Sequence, residues 1–125
     1  MNSYQDPAIR ITLLPRDTNS QGTIFGGVIL SYIDAAGAIA AHRQTKNERF
    51  VTVAMKEVIF HKPVFVGDLV SFYAEVIRVG TTSITTRVIV EAERIGKSER
   101  VRVTEAEVIY VAVDKSGRKI PIQTQ

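Results

Sequence analysis

Apolar and polar residues follow two different patterns along the chain, one before residue 50 and one after it. A nearly continuous run of small and apolar residues occupies about Gly26–His42. The alanine content of this run favours a helix, and its apolarity on every side indicates that neighbouring structure encloses most of it. After residue 50, β-branched and aromatic residues alternate with polar ones, which is the pattern of half-buried strands.

The strand pattern occurs once before the helix and four times after it. The predicted strands are Ile9–Leu14, Phe50–His61, Leu69–Val79, Ser83–Arg94 and Val101–Val113. Lys56 and Glu57 interrupt the alternation of the second strand, as a β-bulge does. The gaps between the last four strands are too short for crossover helices, so they predict antiparallel neighbours. The expected fold class is α+β, with a curved antiparallel sheet wrapped around one long central helix.

A single sheet covers only one side of such a helix and has exposed edges, so we expect the chain to dimerise.

No repeat, linker or low-complexity segment divides the sequence, and we interpret residues 1–125 as one domain. We expect no membrane segment, because Asp34 lies near the middle of the apolar run. A carboxylate there would cost about 2.5–3.5 kcal/mol in a membrane span.

Charge and cysteine content narrow the possible functions. The chain has 16 Lys and Arg against 13 Asp and Glu, a surplus of three positive charges that suits an anionic ligand. This surplus is small and scattered, so we expect no nucleic-acid partner. The absence of cysteine excludes disulfides, zinc–thiolate sites and cysteine nucleophiles. It is compatible with a cytoplasmic location, which we expect because no signal peptide is visible.

Asp34 is the only charged side chain between Gly22 and Ala41. A buried carboxylate without a partner is energetically costly. Two interpretations follow from the residues alone. Asp34 either has a structural role, capping a backbone group or lying on an exposed seam, or it acts as a general base or nucleophile in an apolar setting.

Gly26 and Gly27 lie where the helix is predicted to begin. Backbone N–H groups at that point can approach a ligand closely, and the helix dipole favours negative charge there, as in an oxyanion hole. Gly27 and Asp34 are seven residues apart, which is about 10 Å along a helix. One chain can hardly bring both to the same carbonyl, so a site that used both would combine two chains.

Other kinds of site find less support in the sequence. His42 and His61 are nineteen residues apart and have no matching carboxylates, so we expect no metal site. No Gly-x-Ser-x-Gly segment is present, which argues against an α/β-hydrolase nucleophile. The glycines between Gly22 and Gly27 lack the Lys-Ser/Thr ending of a phosphate-binding loop.

Several short segments, taken in their order and spacing, resemble a known family. The segments are Asp17-Thr18-Asn19, Gly22, Ile24-Phe25-Gly26-Gly27, Asp34, Pro63-Val64-x-Val66-Gly67-Asp68, Gly80-Thr81-Thr82-Ser83, Thr104-Glu105-Ala106 and Tyr110-Val111-Ala112-Val113-Asp114. Together they resemble the hotdog-fold acyl-CoA thioesterases, specifically the acyl-CoA hydrolase branch. The resemblance spans about residues 10–121.

This resemblance implies a hotdog fold, a hotdog dimer and usually a trimer of dimers. It implies hydrolysis of an acyl-CoA to CoA and a carboxylic acid, with no cofactor, since coenzyme A is part of the substrate. The catalytic carboxylate of the family falls on Asp34 and its partner asparagine on Asn19. The turn that polarises the thioester carbonyl falls on Gly26 and Gly27. In the family, the asparagine of one subunit works with the aspartate of the other.

The resemblance also suggests where CoA binds. A loop close to the CoA moiety in this branch matches Gly80, Thr81, Thr82 and Ser83. Because CoA carries a diphosphate and a 3′-phosphate, we expect basic side chains at the rim of the site. The candidates are Lys62, Arg94, Lys97, Arg100 and Arg102. Lys62, preceded by His61, stands where the family usually has arginine, so a role for His61 is doubtful.

Three alternatives stay open at this point. The chain could be a non-catalytic acyl-CoA-binding or sensing module, since hotdog domains also serve as ligand sensors, although it has no spare length for a DNA-binding unit. A dehydratase of similar fold usually needs a histidine near the helix start, and none stands near Gly26. For a hydrolase, the sequence does not separate general-base catalysis by Asp34 from direct attack through an anhydride, nor does it indicate the acyl chain length.

Overall fold

The computed structural model describes residues 6–125. These residues form five strands, one α-helix and a short 3₁₀ turn. The elements are β1 (Ile9–Thr12), the 3₁₀ turn Pro15–Asp17, α1 (Gly26–Gln44), β2 (Phe50–Phe60), β3 (Leu69–Val79), β4 (Ser83–Arg94) and β5 (Glu99–Ala112).

Helix α1 packs one face against the sheet, mainly against β3 and β4. Ile29, Ile33, Ala36 and Ala40 are buried on that face and recur every three or four residues, as one side of a helix requires. The opposite side includes the exposed Ala35. Within one chain, the helix that the sequence predicts to be enclosed on most sides therefore keeps an uncovered face.

The sheet has the strand order β1-β3-β4-β5-β2, and every neighbouring pair is antiparallel. The two edge strands are therefore β1 and β2. Four large apolar residues of β2 are exposed. These residues are Val51, Val53, Ile59 and Phe60. The predicted bulge in β2 is confirmed, because the pairing register shifts between Lys56 and Ile59. Glu57 adopts a φ of 54° at this point.

The predicted fold class, a single helix on an antiparallel sheet, is confirmed, and the element boundaries differ by a few residues. Strand β1 ends two residues before Leu14, because the Leu14 N–H donates a hydrogen bond (2.9 Å) to the Asp17 carboxylate at the start of the 3₁₀ turn. Strand β5 begins at Glu99, two residues before the predicted start. Helix α1 continues to Gln44, past the predicted end at His42.

The segment after β5 folds back over the end of α1. The Ile122 N–H donates to the carbonyl of Thr81 at 2.8 Å. Buried Asn47 accepts a hydrogen bond from the Gln123 N–H at 2.7 Å and donates one to the Pro121 carbonyl at 3.1 Å. These bonds fix the C-terminal segment against the β3–β4 turn and the residues after α1.

Within the described residues, α1 and the 3₁₀ turn are the only helical segments, and neither is long and apolar enough to cross a membrane.

Candidate active site

Asp34 lies on α1 beside the beginning of the edge strand β2. The hydroxyl of Thr52 donates a hydrogen bond of 2.7 Å to Oδ1 of Asp34. The aspartate is partly exposed, so its carboxylate combines a fixed orientation with access from outside the chain. Thr52 is a site residue that the sequence did not reveal. It is eighteen residues from Asp34, and only the fold of the chain brings the two together.

The backbone of Asp34 is attached to the sheet by Tyr110 of β5. The Tyr110 hydroxyl donates a hydrogen bond of 2.6 Å to the Asp34 carbonyl. Burial raises the pKa of Tyr110 well above its usual value, and the nearby negative charge of Asp34 raises it further. The phenol therefore stays protonated at physiological pH and remains a donor.

The close approach of Tyr110 to α1 explains a glycine in the middle of the helix. A Cβ atom added at Gly37 would overlap the hydroxyl of Tyr110 and crowd that of Thr86. Glycine is unfavourable by about 1 kcal/mol relative to alanine inside a helix. Glycine at this position leaves room for Tyr110 to reach the carbonyl of Asp34. Tyr110 of the sheet therefore fixes the helix backbone at Asp34.

Gly26 and Gly27 form the first residues of α1, as the sequence predicts. The first N–H groups of an α-helix have no partner within the helix, so they are available to an acceptor outside it. A Cβ at Gly26 would lie 3.4 Å from the ring of Phe60, at the far end of β2. Gly26 is therefore next to Phe60, whereas Asp34 is next to Thr52.

A cavity of about 290 Å³ lies beside Gly26. It is lined mostly by apolar side chains from the helix start, the end of β2 and the segment that follows β2. The lining residues are Ile24, Gly26, Ile29, Phe60, His61, Lys62, Pro63, Val64 and Thr104. Thr104 is 1% exposed, and its hydroxyl has no hydrogen-bond partner among the described residues. In the sequence this residue belonged to a segment that resembles the family, with no role assigned to it.

Asn19 lies in the loop before α1 and is hydrogen-bonded within that loop. Its Oδ1 accepts hydrogen bonds from the N–H groups of Gln21 (2.9 Å) and Thr23 (3.2 Å). Its Nδ2 donates to the Thr23 hydroxyl at 2.8 Å. These bonds fix the loop and leave the second amide hydrogen of Asn19 for another acceptor. Any catalytic role for Asn19 stays a prediction.

The structure keeps Asp34 and Gly26 apart within one chain. They are eight residues apart on the same helix, which corresponds to about 12 Å along its axis. The strand residues next to them, Thr52 and Phe60, are at opposite ends of β2, on the order of 25 Å apart at the usual rise per residue. Within one chain, the predicted carboxylate and the predicted oxyanion donors are therefore not brought together.

The residues predicted to contact CoA are also divided between two ends of the sheet. Gly80, Thr81, Thr82 and Ser83 form the turn between β3 and β4, closed by a hydrogen bond of 2.7 Å from the Gly80 N–H to the Ser83 carbonyl. This turn is at the Tyr110 end, since Ile84 pairs with Tyr110. The five predicted rim cations lie on or next to the β4–β5 hairpin and the end of β2, and they do not meet the turn within one chain.

The predicted rim cations differ in whether their side chains already have partners inside the chain. Arg94 forms an ion pair with Asp68, donates to the Pro63 carbonyl at 3.1 Å and covers the ring of Phe65 at 4.8 Å from its centroid. Its side chain is 13% exposed, so its guanidinium is already engaged inside the chain. This cation is not free to bind phosphate in the arrangement seen here.

The remaining rim cations are exposed, and their part in CoA binding stays a prediction. Arg100 lies 3.5 Å from Glu93, and Arg102 lies 3.7 Å from Glu105. Lys62 and Lys97 form no salt bridge within residues 6–125. These two lysines are the freest cations of the predicted set.

The histidines do not form a metal site with the carboxylates of the described chain. His61 is 3.7 Å from Glu105, and His42 stacks edge-on against Phe50 with 5.1 Å between ring centroids. Within residues 6–125, no three His, Cys, Asp or Glu side chains are close enough to hold a metal ion.

The sequence of the chain is similar to those of known proteins. Residues 21–99 match the family model described as "Thioesterase superfamily". The chain is 40% identical over 120 residues to the acyl-CoA thioester hydrolase YciA of Salmonella typhimurium, covering 94% of this chain and 90% of that protein.

Solved structures show the same similarity in three dimensions. Cj0915, a hexameric hotdog fold thioesterase of Campylobacter jejuni, superposes with a TM-score of 0.88 at 48% identity, covering 94% of this chain and 90% of that one. The hexameric thioesterase y2039 of Yersinia pestis superposes with a TM-score of 0.88 at 40% identity, covering 95% and 96%. The resemblance inferred from the short segments is confirmed, and the chain belongs to the hotdog-fold acyl-CoA thioester hydrolases of the thioesterase superfamily.

Proposed function

We propose that this protein hydrolyses acyl-CoA thioesters to CoA and a carboxylic acid, at a site built from two chains. The observation that carries the proposal is the position of the Asp34 carboxylate. It is held by Thr52, partly exposed, and lies beside a sheet edge that no other described strand covers. The relatives that match this chain include acyl-CoA thioester hydrolases and hexameric thioesterases, which supports the same activity here.

The free edge of β2 offers a way to join the two halves of the site. Two copies of this strand can pair antiparallel about a two-fold axis, which is the commonest symmetry of homo-oligomers. Lys56 lies midway between Thr52 and Phe60. A two-fold axis that passes near Lys56 places the Thr52 end of one β2 strand beside the Phe60 end of its partner. Asp34 of one chain then approaches Gly26 of its partner, and the dimer has two equivalent sites.

The exposed apolar residues of β2 support this pairing. Val51, Val53, Ile59 and Phe60 are 45–54% exposed in the single chain. An unpaired edge with exposed apolar side chains favours association with a second strand. We extend the proposal to a trimer of such dimers, because the matching thioesterases of Campylobacter jejuni and Yersinia pestis are hexameric.

In the proposed reaction, the thioester carbonyl accepts hydrogen bonds from the N–H groups of Gly26 and Gly27. These donors stabilise the negative charge that develops on the oxygen as the carbonyl carbon is attacked. Asp34 of the other chain takes a proton from water, the water oxygen bonds to the carbonyl carbon and the C–S bond breaks. The CoA thiolate leaves and takes up a proton. Asn19 orients the water or the carbonyl.

Direct attack by Asp34 is the alternative route, in which an anhydride forms before water is added. Single-turnover hydrolysis in ¹⁸O-labelled water tests for the anhydride. Label that enters the Asp34 carboxylate would require it, because a general base takes only a proton from water. Label found only in the released acid is the result expected of the general base, and it excludes an anhydride that water opens at the Asp34 carbonyl.

The function is tested by CoA release from acyl-CoA, followed with a thiol reagent. Asp34→Asn keeps an oxygen that can accept the Thr52 hydrogen bond and removes the basic carboxylate. We expect kcat to fall at least about a hundredfold, the lower part of the range for general-base catalysis. Glu48→Gln, which neutralises an exposed carboxylate outside the site, serves as the control and should retain activity.

Two results would contradict the proposal. Binding of acyl-CoA by the unaltered protein without release of thiol would favour a non-catalytic binding or sensing module. Normal hydrolysis by Asp34→Asn would remove Asp34 from the mechanism.

A further inference from the structure

Arg94 of β4 contacts residues 63–68, the segment that follows β2, at three points. Its guanidinium forms an ion pair with Asp68, donates a hydrogen bond of 3.1 Å to the Pro63 carbonyl and covers the ring of Phe65. The carboxylate of Asp68 is buried and also accepts a hydrogen bond of 2.9 Å from the Phe65 N–H. One side chain therefore holds both ends of this segment.

The same segment is bonded to the loop that leads into α1. The Ile24 N–H donates a hydrogen bond of 2.8 Å to the Val64 carbonyl, and Thr23 forms an isolated antiparallel bridge with Phe65. Ile24 and Val64 are both buried, so the loss of their bond would leave two polar groups unpaired in the interior. Ile24 is two residues before Gly26, and the segment therefore fixes the backbone immediately before the helix start.

Stability alone is a weak explanation for the ion pair between Arg94 and Asp68. Their side chains are 13% and 6% exposed. The loss of hydration at two such charges offsets much of their attraction, so a buried pair often stabilises a fold no more than apolar side chains would. A buried pair does supply a fixed geometry, because a planar guanidinium donates in set directions and reaches two acceptors at once.

We propose that Arg94 is a positioning residue, which acts through the segment 63–68 to hold the Gly26 and Gly27 amides where the thioester carbonyl meets them. This inference rests on the proposed function, because it assumes that these amides are the oxyanion donors. Arg94 contacts neither the substrate nor the reacting atoms, which is a different role from the phosphate contact that the sequence predicts. A displacement of about 1 Å at a reacting group can lower a rate about a hundredfold, so a small movement of this segment would affect kcat.

The test uses one variant on each side of the ion pair. Arg94→Lys keeps the positive charge and loses the planar group that reaches Asp68 and the Pro63 carbonyl together. Asp68→Asn removes the negative charge and keeps an oxygen for the Phe65 N–H. We expect kcat for butyryl-CoA to fall at least about tenfold in each, with KM changed less than about twofold, because the amides act in the transition state. Melting curves show that each variant is folded at the assay temperature, and Arg94→Lys, which keeps the charge balance, suffices if Asp68→Asn is not.

A second substrate separates positioning from a contact with phosphate. Butyryl-pantetheine has the same thioester as butyryl-CoA and no phosphate. Positioning predicts the same fractional loss of kcat for both substrates. A phosphate contact predicts that Arg94→Lys changes little, since lysine also binds phosphate. It also predicts that Asp68→Asn lowers KM for butyryl-CoA by releasing the guanidinium.

Arg87→Gln is the matched control. Arg87 is also on β4 and forms ion pairs with Glu105 at 3.6 Å and Glu107 at 3.4 Å, and none of its ion pairs involves the segment 63–68. We expect this variant to keep the kcat of the unaltered protein.

Three outcomes would overturn the inference. The first is a kcat that stays within about twofold in both Arg94→Lys and Asp68→Asn. The second is a loss confined to butyryl-CoA and expressed as a higher KM, which would assign Arg94 to the phosphates. The third is an equal loss of kcat in Arg87→Gln. Failure of the proposed function looks different, since the unaltered protein would then release no thiol from butyryl-CoA or from longer acyl-CoA thioesters.

Discussion

The two ends of strand β2 are built differently. At its start, Thr52 is hydrogen-bonded to the Asp34 carboxylate, and Tyr110 holds the helix backbone at the same level. At its end, the Phe60 ring lies against the helix start at Gly26, beside a mainly apolar cavity. The first end has a carboxylate that a hydrogen bond orients. The second has backbone donors and room for an apolar chain.

In the proposed two-chain site, this difference divides the reaction between two copies of the fold. Each end supplies what the other lacks, and the distance between them prevents one chain from using both. A two-fold pairing of β2 brings unlike ends together twice, so one interface produces two complete sites. In this proposal, pairing along the exposed edge of β2 both forms the dimer and completes the two sites.

The largest expected effect concerns the apolar end. Gly26→Pro removes one backbone N–H at a helix position where proline is well tolerated. We expect kcat to fall about 10²- to 10³-fold, the usual result of losing one oxyanion donor. Gly26→Ala adds bulk near Phe60 and keeps the N–H, so its smaller loss measures the steric part. Equal losses in the two variants would show that the amide is not the donor.

At the polar end, Gly37→Ala should be the most destabilising change. Its added Cβ overlaps the Tyr110 hydroxyl and separates it from the Asp34 carbonyl. We expect the free energy of unfolding to fall by about 2–3 kcal/mol, from overpacking and a lost buried hydrogen bond.

Chemical denaturation of Gly37→Ala measures this change, and a second glycine of the same helix provides the control. In Gly27→Ala the added Cβ meets only the ring of the exposed Phe25, which can rotate away. An equal loss of stability in both variants would mean that Tyr110 does not hold the helix at Gly37.

Thr52→Val tests how the carboxylate is positioned. The variant removes the hydroxyl that orients Asp34 and leaves the carboxylate in place. We expect kcat to fall about tenfold, with KM little changed, since one hydrogen bond of about 1.4 kcal/mol is lost. Thr52→Ser should recover most of the activity. No recovery with serine would indicate that the methyl group of Thr52, and not its hydroxyl, matters.

The smallest effect concerns the turn that follows β5, at the same end of the sheet. Hydrogen bonds from the Arg118 N–H and from the hydroxyl of Ser116 lower the pKa of Asp114. A carboxyl with a depressed folded-state pKa stabilises the fold above its unfolded pKa of about 3.9, and the contribution is lost as pH falls through the folded value.

Asp114→Ala should therefore lower the melting temperature slightly at pH 7 and less at pH 3. Thermal unfolding at the two pH values measures the difference. An equal decrease at both would assign the effect to something other than the ionised carboxylate.

The fold could be predicted from the sequence because its main signals are local. Leu69–Val79 and Ser83–Arg94 have the predicted bounds, since their alternation is regular and turns separate them. Lys56 and Glu57 indicated the bulge by breaking that alternation. The ends of β1 and α1 shifted because side-chain and backbone bonds at Leu14 and Thr45 decide where they stop.

The candidate site could be predicted only in part. Asp34 stood out as a charge in an apolar helix, and Gly26 as a glycine at its start. Thr52 carried no signal, because threonine is ordinary in strands and it meets Asp34 only through a contact distant in sequence. Thr104 belonged to a segment that resembles the family, but nothing in the sequence placed it beside the helix start. The sequence predicted Arg94 to be a rim cation, because its ion pair with Asp68, 26 residues away, depends on the fold.

The most direct test of a site shared between chains is complementation between two inactive variants. Asp34→Asn and Gly26→Pro, carrying different tags, are produced together, and the mixed oligomers are purified through both tags. In a two-fold dimer that contains one chain of each, one site has an intact Asp34 and an intact Gly26, and the other has neither. In hexamers assembled at random, about half of the dimers are mixed, so these hexamers should recover about a quarter of the unaltered activity; isolated mixed dimers should recover about half. Activity no greater than that of the two variants assayed separately would contradict a site built from both chains.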